Sequence, residues 1–178
     1  MKKTAIILGT SRSNGNTAKL SKEVAQRTDA VIFDISDYNI LPFDYEHKNK
    51  HDDFTSLIKE ILTYDTLIFS SPVYWFSPSV QMKLFLDRIT DLLYVEKELG
   101  RKLRSKTAAV LSTGEYEKPE TCFEEIFQHS FKYLGMNYKG MLYCACGFDE
   151  TGEKTDVGFD LNKDLIRVNA FSDMLNKQ

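Results

Sequence analysis

The chain is short of cysteine, of long apolar runs and of net charge. Its three cysteines are too few, and odd in number, for a disulfide framework, and they favour a reducing compartment. No stretch reaches the roughly 20 apolar residues of a membrane span, and the apolar start at residues 4–8 ends at Gly9, too early for a secretory signal. A net charge of −3 favours neither nucleic acid nor a membrane surface as partner. We therefore expect a cytoplasmic protein that binds neither of them.

The remaining composition is that of a globular protein, with 42% apolar and 28% charged residues. A length of 178 residues is most simply one domain with a single large core. The sequence shows no internal repeat, low-complexity segment or linker. Residues 1–178 are therefore predicted to form one domain.

Short apolar runs alternate with amphipathic helical patterns along the chain. The predicted strands are residues 4–8, 30–35, 66–70, 107–111 and 140–146. The predicted helices cover residues 18–25, 54–62, 77–93, 119–134 and 161–175, with Ser77 and Pro78 opening the third and Gly135 ending the fourth. This alternation predicts an α/β fold with a parallel sheet covered by helices on both faces. Ligands of such sheets bind at the carboxyl ends of the strands, which directs attention to the loops after strands one, three and four.

The loop after the first strand, residues 9–17 (GTSRSNGNT), leads directly into a helix. The first backbone N–H groups of a helix have no partner within it, and the helix dipole places partial positive charge there. The side chains that would complete an anion site are Ser11, Arg12, Ser13, Asn16 and Thr17. The loop therefore predicts a phosphate site, with an ordinary polar turn that caps the helix as the alternative.

Three other phosphate-handling loops are excluded by what residues 9–17 lack. A nucleotide P-loop needs a Lys-Ser or Lys-Thr pair at its end, whereas this loop ends in Asn16 and Thr17. A dinucleotide fold needs three glycines at a spacing that Gly9 and Gly15 do not provide. A tyrosine phosphatase needs a cysteine nucleophile, and the loop has none. What remains is a loop that holds one terminal phosphate, as a mononucleotide cofactor requires.

The loop after the third strand carries three consecutive aromatic residues, Tyr74, Trp75 and Phe76, between Pro72 and Pro78. The prolines stiffen both ends of the loop. So much aromatic surface is unfavourable in water unless it meets a ligand or a partner. The predicted ligand is a flat heteroaromatic ring, and packing against a neighbouring loop or subunit is the alternative.

The loop after the fourth strand contains hydroxyls and a small residue, namely Ser112, Thr113 and Gly114. The glycine allows the backbone to approach a flat ligand closely, and the hydroxyls serve as donors. Together the three loops fit a ligand with a phosphate at one end and a flat ring at the other, which is a description of FMN.

The motifs of these loops resemble the flavodoxin-like NAD(P)H-dependent FMN reductase and quinone oxidoreductase family. The residues that carry the resemblance are the loop at 9–17, the segment at 71–75 (SPVYW), and Pro78, Lys83, Phe85, Asp87 and Arg88. The resemblance extends over nearly the whole chain. It implies a flavodoxin-like three-layer sandwich with a five-stranded parallel sheet of order 2-1-3-4-5 and helices on both faces. It also implies bound FMN and a homodimer or homotetramer.

The resemblance further implies site residues by position. Those that would hold the FMN phosphate are Ser11, Arg12, Ser13, Asn16 and Thr17. Those that would meet the ring and the ribityl chain are Pro72, Val73, Tyr74, Trp75 and Phe76, with Ser112, Thr113 and Gly114 along the other edge of the ring. Many relatives have a second glycine after position 114, where this chain has Glu115. That carboxylate would narrow the nicotinamide slot or repel an anionic acceptor.

The activity implied by the resemblance is that of an FMN-dependent oxidoreductase. NAD(P)H would give a hydride to the flavin, and a small acceptor (a quinone, flavin, azo or nitro compound) would then take the electrons in the same slot. The protein would supply no catalytic acid or base, while Tyr74, Trp75 and Glu115 would shape the slot. A flavodoxin-type electron carrier, reduced by a partner protein, is the alternative, and a flavin-free scaffold is a third. The sequence does not distinguish between NADH and NADPH as the hydride donor.

Several smaller features are predicted to be structural or solvated. Iron–sulfur flavoproteins of the same fold carry a cysteine cluster after strand two, and residues 36–50 contain no cysteine, so no such cluster is expected. The acidic stretch at residues 44–53, with its two histidines, is predicted to be a solvated loop rather than a metal site. Small buried apolar residues are predicted at Cys144 and Cys146. Structural roles are predicted for Asp87, Arg88 and His129.

Overall fold

The computed structural model describes residues 2–147 and 158–177, in which strands alternate with helices. The strands are β1 (Thr4–Leu8), β2 (Val31–Asp34), β3 (Thr66–Tyr74), β4 (Ser77–Pro78), β5 (Thr107–Gly114) and β6 (Asn137–Ala145). The helices are α1 (Asn16–Thr28), α2 (Phe54–Ile61), α3 (Val80–Tyr94), α4 (Lys97–Lys102), α5 (Thr121–Leu134) and α6 (Leu161–Asn176), with 3-10 turns at Ile35–Asp37 and Leu103–Ser105. Within these described ranges, no helix has the length and apolar character needed to cross a membrane.

Five of the strands form one parallel sheet in the order β2-β1-β3-β5-β6. The remaining strand, β4, has two residues and pairs antiparallel with the end of β3. The order of the five parallel strands is therefore the predicted 2-1-3-4-5. The order reverses at β1 and β3, where Leu8 pairs with Ser70. A ligand of such a sheet binds beside this reversal, at the carboxyl ends of the strands.

Side chains alternate between the two faces of the sheet, and each face has its own apolar core. On β1, Ile7 packs in the core that α2, α3 and α5 cover, whereas Ile6 packs in the core that α1 and α6 cover. Phenylalanines fill much of the first core, in which the ring centroids of Phe69 and Phe131 are 4.7 Å apart. The predicted arrangement of helices on both faces is confirmed.

The structure corrects the predicted start of the third helix. Ser77 and Pro78 form β4, and α3 begins at Val80 after Ser79, whose Oγ accepts a hydrogen bond of 3.2 Å from the Met82 N–H. Proline has no N–H to donate and disfavours a helical conformation in the preceding residue, so Ser-Pro fits an edge strand as well as a first helical turn. The pattern alone does not separate these two outcomes.

A buried arginine on α3 fixes the loop between β2 and α2. The Arg88 guanidinium makes a bidentate contact with Asp52 and donates to the Asp91 carboxylate at 2.8 Å. The side chains of Arg88 and Asp52 are both 1% exposed. The prediction of a solvated loop at residues 44–53 was therefore wrong for Asp52. Arg88 itself has a structural place, as the sequence predicts.

Candidate functional site

The loop at residues 9–17 joins β1 to α1 and ends in an uncapped helix start. Gly15, the N-cap residue of α1, provides no side-chain hydrogen bond, and the first turn contains no acidic residue. The partial positive charge at this terminus is therefore available to an anion. A Cβ at Gly9 would lie 2.8 Å from Met82 Cβ, so only glycine lets the loop pass this close to the start of α3.

Buried hydroxyl groups tie the carboxyl ends of the central strands together beside this loop. Thr17 Oγ1 lies 2.7 Å from Thr113 Oγ1, which links α1 to β5. Ser21 Oγ lies 2.7 Å from Ser70 Oγ, which links α1 to β3. All four side chains are buried. Satisfied hydrogen bonds in a buried network hold the loop in one position against the sheet.

A cavity of about 270 Å³, which we call the polar cavity, opens beside the start of α1. Its lining residues are Thr10, Arg12, Gly15, Asn16, Thr17, Pro72, Val73, Tyr74, Thr113, Gly114, Glu115 and Cys146. Three of the residues predicted to hold phosphate, Arg12, Asn16 and Thr17, are among them. The other two, Ser11 and Ser13, are exposed and line neither this cavity nor the one described below. The structure therefore brings the guanidinium and the first helical turn together and leaves the two serines outside.

Asn16 has a second contact at the wall of the polar cavity. Its Oδ1 accepts a hydrogen bond of 3.1 Å from the Phe159 N–H, which anchors the segment leading into α6. The Nδ2 of the same amide is then the group that an anion in the cavity would meet.

The three consecutive aromatic residues form the tip of a hairpin between β3 and β4. Tyr74 pairs with Ser77, so Trp75 and Phe76 are the two turn residues, with φ angles of 48° and 64°. Two-residue hairpin turns with positive φ at both positions favour asparagine and glycine, and bulky side chains there are strained. Trp75 is also 91% exposed. Strain and apolar exposure of this kind are typical of binding sites.

A second cavity, of about 540 Å³, lies between the hairpin tip and the loop after β5, and we call it the aromatic cavity. Its lining residues are Val73, Tyr74, Trp75, Phe76, Gly114, Glu115, Tyr116, Pro119, Glu120 and Tyr143. Val73, Tyr74, Gly114 and Glu115 line both cavities. The two cavities therefore adjoin and share a wall.

The end of β5 divides its predicted site residues between the two faces of the sheet. Thr113 lines the polar cavity and Gly114 lines both cavities, whereas Ser112 lines neither. Alternation along the strand turns Ser112 to the face opposite Thr113. Its Oγ is buried and has no hydrogen-bond partner among the described residues. The structure therefore does not bring Ser112 to the site.

Tyr143 on β6 holds the loop after β5 in place. Its hydroxyl donates to Tyr116 O at 2.6 Å, and burial raises the pKa of Tyr143 to about 12, so the hydroxyl remains a donor at neutral pH. A Cβ at Gly114 would lie 2.7 Å from Tyr143 Oη. The tyrosine thus packs directly on the backbone that leads to Glu115.

Cys146 lines the polar cavity, and Cys144 is buried two residues before it. Burial raises the pKa of both thiols, that of Cys146 to about 11. A neutral thiol is a poor nucleophile. The two cysteines therefore have the buried, apolar character that the sequence predicts.

Several lining residues were missed from the sequence, namely Thr10, Pro119, Glu120, Tyr143 and Cys146. Each lies close to the carboxyl end of a parallel strand or in the loop that follows one. These residues could have been predicted from that position, because the carboxyl ends of all parallel strands lie at the same edge of the sheet.

The adjoining cavities match the chemistry of FMN. The polar cavity offers a guanidinium, hydroxyls and an uncapped helix start, a donor set suited to a phosphate. The aromatic cavity offers flat apolar walls to a ring system. The residues present therefore fit the cofactor that the loops predict.

Comparison with known proteins identifies the family of this chain. The family model for NADPH-dependent FMN reductases matches residues 2–150. A curated relative, YwqN of Bacillus subtilis (strain 168), is 34% identical over 149 residues, which cover 78% of this chain and 82% of the relative. That protein is named as an NAD(P)H-dependent FMN-containing oxidoreductase.

Solved structures share the architecture. The Trp repressor binding protein from Bacillus subtilis is similar with a TM-score of 0.73 at 27% identity, over 97% of both chains. An FMN-dependent NADH-azoreductase from Bacillus anthracis str. Ames Ancestor, solved in complex with FMN, shares the fold with a TM-score of 0.67 at 14% identity, over 98% of this chain and 99% of that one. This chain belongs to the NADPH-dependent FMN reductase family and is a flavodoxin-like oxidoreductase that uses NAD(P)H and FMN.

Proposed function

We propose that this chain oxidises NAD(P)H and passes the electrons to a small acceptor, such as a quinone, a flavin, an azo compound or a nitro compound. Bound FMN would supply the redox chemistry, namely acceptance of a hydride from NAD(P)H and transfer of two electrons to the acceptor. For a quinone, NAD(P)H, one solvent proton and the quinone give NAD(P)⁺ and the hydroquinone. The observation that carries the proposal is a polar cavity and an aromatic cavity that adjoin at one edge of the sheet.

The polar cavity is the proposed phosphate end. Arg12 supplies a guanidinium, which is a cation with several donors. Asn16 Nδ2 and the hydroxyl pair of Thr17 and Thr113 supply neutral donors, and the backbone N–H groups at the start of α1 complete the set. Ser11 and Ser13 are proposed as outer contacts of the phosphate, on the exposed side of the loop.

The aromatic cavity is the proposed ring end. Pro72, Val73 and Tyr74 lie on the wall that leads from the polar cavity, and Gly114 allows close approach on the other side. Trp75 and Phe76, together with Tyr74 and Glu115, shape the slot in which the nicotinamide and the acceptor alternate. These residues act by positioning the reactants and by excluding water, which is what hydride transfer requires of a protein.

We further propose that residues 1–178 act as one FMN-binding domain in the cytoplasm, with a small molecule rather than nucleic acid or a membrane as partner, and that the chain forms a homodimer or homotetramer. A groove between α3 and α5 supports association, because Leu86, Ile89, Leu93 and Tyr133 line it and Tyr133 is 77% exposed. Light scattering of the purified protein tests this, and a mass equal to one chain would contradict it.

The proposed reaction is tested with purified protein, FMN and either nicotinamide, without oxygen and without a partner protein. We expect the yellow colour of oxidised FMN to bleach on addition of NADH or NADPH and to return when a naphthoquinone is added. The same amount of free FMN without protein is the control. Lack of bleaching with both nicotinamides would favour an electron carrier, and failure to bind FMN would favour a flavin-free scaffold.

A further inference from the structure

The side-chain amide of Asn16, in the wall of the polar cavity, uses its acceptor and leaves its donor. Asn16 Oδ1 accepts a hydrogen bond of 3.1 Å from the Phe159 N–H, whereas Asn16 Nδ2 has no hydrogen-bond partner among the residues that the structure describes. A primary amide has a carbonyl acceptor at one end and an NH₂ donor at the other. A backbone N–H can bond only to the carbonyl end. The contact with Phe159 therefore leaves the donor end for the cavity that Asn16 lines.

The orientation of this amide decides whether it attracts or repels an anion. Nδ2 can donate to a phosphate oxygen, whereas an amide rotated by half a turn would present Oδ1, which cannot donate and carries partial negative charge. Arg12 and the hydroxyls of Thr17 and Thr113 line the same cavity, so a donor from Asn16 adds to their set. A side chain that is already held in its bound orientation also loses less freedom when the ligand binds.

Gly158 lies directly against the same amide. A Cβ at this position would overlap Asn16 Oδ1, and the three atoms nearest to that Cβ all belong to the Asn16 amide. Gly158 is not among the residues with a positive φ, so its backbone conformation is one that alanine also adopts. A side chain at position 158 would therefore displace the Asn16 amide rather than strain its own backbone.

The start of α6 holds the backbone donor in place. Phe159 packs against the core that α1 and α6 cover, and the next residue, Asp160, caps α6 by accepting a hydrogen bond of 2.9 Å from the Asn162 N–H. Arg167 on α6 donates to Tyr143 O at 2.7 Å, which joins the helix to β6. The Phe159 N–H is thus positioned by the fold and needs no ligand to reach Asn16.

Resting on the phosphate end of the function proposed above, we infer that Gly158 and Phe159 are positioning residues for a phosphate in the polar cavity. The Phe159 N–H holds Asn16 with its donor free for the phosphate, and the lack of a side chain at Gly158 leaves room for that orientation. The preference of the chain for FMN over riboflavin, which has the same ring and no phosphate, then depends on a segment far from the loop at residues 9–17. The coupling is reciprocal, so a bound phosphate strengthens the contact between Asn16 and Phe159.

The experiment measures the dissociation constants of FMN and riboflavin by the quenching of flavin fluorescence. The proteins are wild type, Gly158→Ala, Asn16→Ala and the double variant. Gly158→Ala is expected to raise the dissociation constant of FMN roughly tenfold and to leave that of riboflavin within about twofold. The double variant is expected to equal Asn16→Ala, because the added methyl group then has no amide to displace. Asn162→Ala changes an exposed residue in the first turn of α6 that lines neither cavity, and it is expected to behave as wild type.

Hydrogen exchange of the Phe159 amide gives a readout that does not depend on affinity. In wild type saturated with either flavin, this N–H is expected to exchange more slowly with FMN than with riboflavin. In Asn16→Ala the two flavins are expected to give the same rate.

The possible outcomes separate this inference from the function on which it rests. If wild type binds FMN no more tightly than riboflavin, the proposed phosphate end fails and the positioning role falls with it. If wild type prefers FMN and Gly158→Ala weakens both flavins equally or neither of them, the phosphate end stands and the positioning role is overturned. Additive effects of Gly158→Ala and Asn16→Ala on FMN would overturn it as well, since Gly158 would then act independently of Asn16.

Discussion

Thr17 and Thr113 share a buried hydrogen bond, with 2.7 Å between their Oγ1 atoms. The bond joins the first turn of α1 to the end of β5. The two threonines are 96 positions apart in the chain. Gly114 and Glu115 follow immediately, so the bond also connects the proposed phosphate end with the wall of the aromatic cavity. Replacement of either threonine is therefore expected to affect stability and cofactor binding together.

The substitution Thr113→Val tests this link. Valine has nearly the same shape, but it leaves the buried Thr17 hydroxyl without this partner, which costs about 1–3 kcal/mol. We expect the free energy of unfolding in urea to fall by that amount and the dissociation constant of FMN to rise. Thr113→Ser keeps a hydroxyl and is expected to lie close to wild type. Equal stability of the valine variant and wild type would show that the bond contributes nothing.

Arg12 is tested by the affinity for FMN. A hydrogen bond between a guanidinium and a phosphate is worth about 1.5–3 kcal/mol, so Arg12→Ala is expected to raise the dissociation constant of FMN by about 10- to 100-fold. Lys19→Ala is the matched control, because Lys19 is exposed on α1 just after the loop, carries the same charge as Arg12 and lines neither cavity. An unchanged FMN affinity in Arg12→Ala would remove this residue from the phosphate site.

The strained hairpin tip gives a prediction about stability. Trp75 has a φ of 48° and is 91% exposed, so its side chain contributes little burial while its backbone is strained. Glycine adopts this conformation without the steric cost of about 1 kcal/mol that a Cβ carries. Trp75→Gly is therefore expected to unfold at higher urea concentration than Trp75→Ala. The opposite order would show that the positive φ is not strained in solution.

The same position gives a prediction about catalysis. Trp75→Ala is expected to raise the KM for the nicotinamide or the acceptor more than it raises the dissociation constant of FMN, because Trp75 lines the aromatic cavity and not the polar one. Trp75→Phe retains a flat ring and is expected to preserve most of the activity. Equal losses of FMN affinity and of acceptor affinity would contradict the assignment of Trp75 to the slot.

The parts of this site that could be predicted from the sequence are those set by the sheet. Parallel strands bring their carboxyl ends to one edge, so the loops at residues 9–17 and 71–78 were predicted to converge. The sheet face to which each side chain points was harder to predict. Strict alternation along β5 would have separated Ser112 from Thr113, but the predicted strand ended at residue 111 and placed Ser112 in the following loop, whereas β5 extends to Gly114.

Sequence patterns could not predict contacts between segments that are distant in the chain. Asp52 lies in a polar stretch that is typical of a solvated loop, and its burial depends on Arg88, which is 36 positions away. Glu120 and Tyr143 reach the aromatic cavity from segments with no motif of their own. Hydrophobic periodicity shows which face of a helix or strand is apolar. It does not show which buried charged side chains pair with each other.

The pair of Asp52 and Arg88 predicts how stability depends on pH. Burial alone would raise the pKa of Asp52, but hydrogen bonds from the Arg88 guanidinium and from the Leu41 and Phe54 N–H groups outweigh it and hold the pKa below its usual value of 3.8. A carboxylate with a lowered pKa in the folded state stabilises the protein above its unfolded pKa. That contribution is lost as the pH falls through the lower, folded value.

Asp52→Asn is expected to lower the free energy of unfolding at neutral pH by about 3 kcal/mol, because it removes one partner of a buried ion pair and leaves Asp91 as the one carboxylate paired with Arg88 among the described residues. Below about pH 4 the difference from wild type is expected to narrow, because Asp52 takes up a proton first in the unfolded chain and, at still lower pH, in the folded protein. Asp173→Asn, an exposed position on α6, is the matched control and is expected to stay within about 0.5 kcal/mol of wild type. Urea unfolding between pH 7 and pH 3 measures all three proteins. A difference between Asp52→Asn and wild type that stays constant over this range would show that the charge of Asp52 does not stabilise the fold.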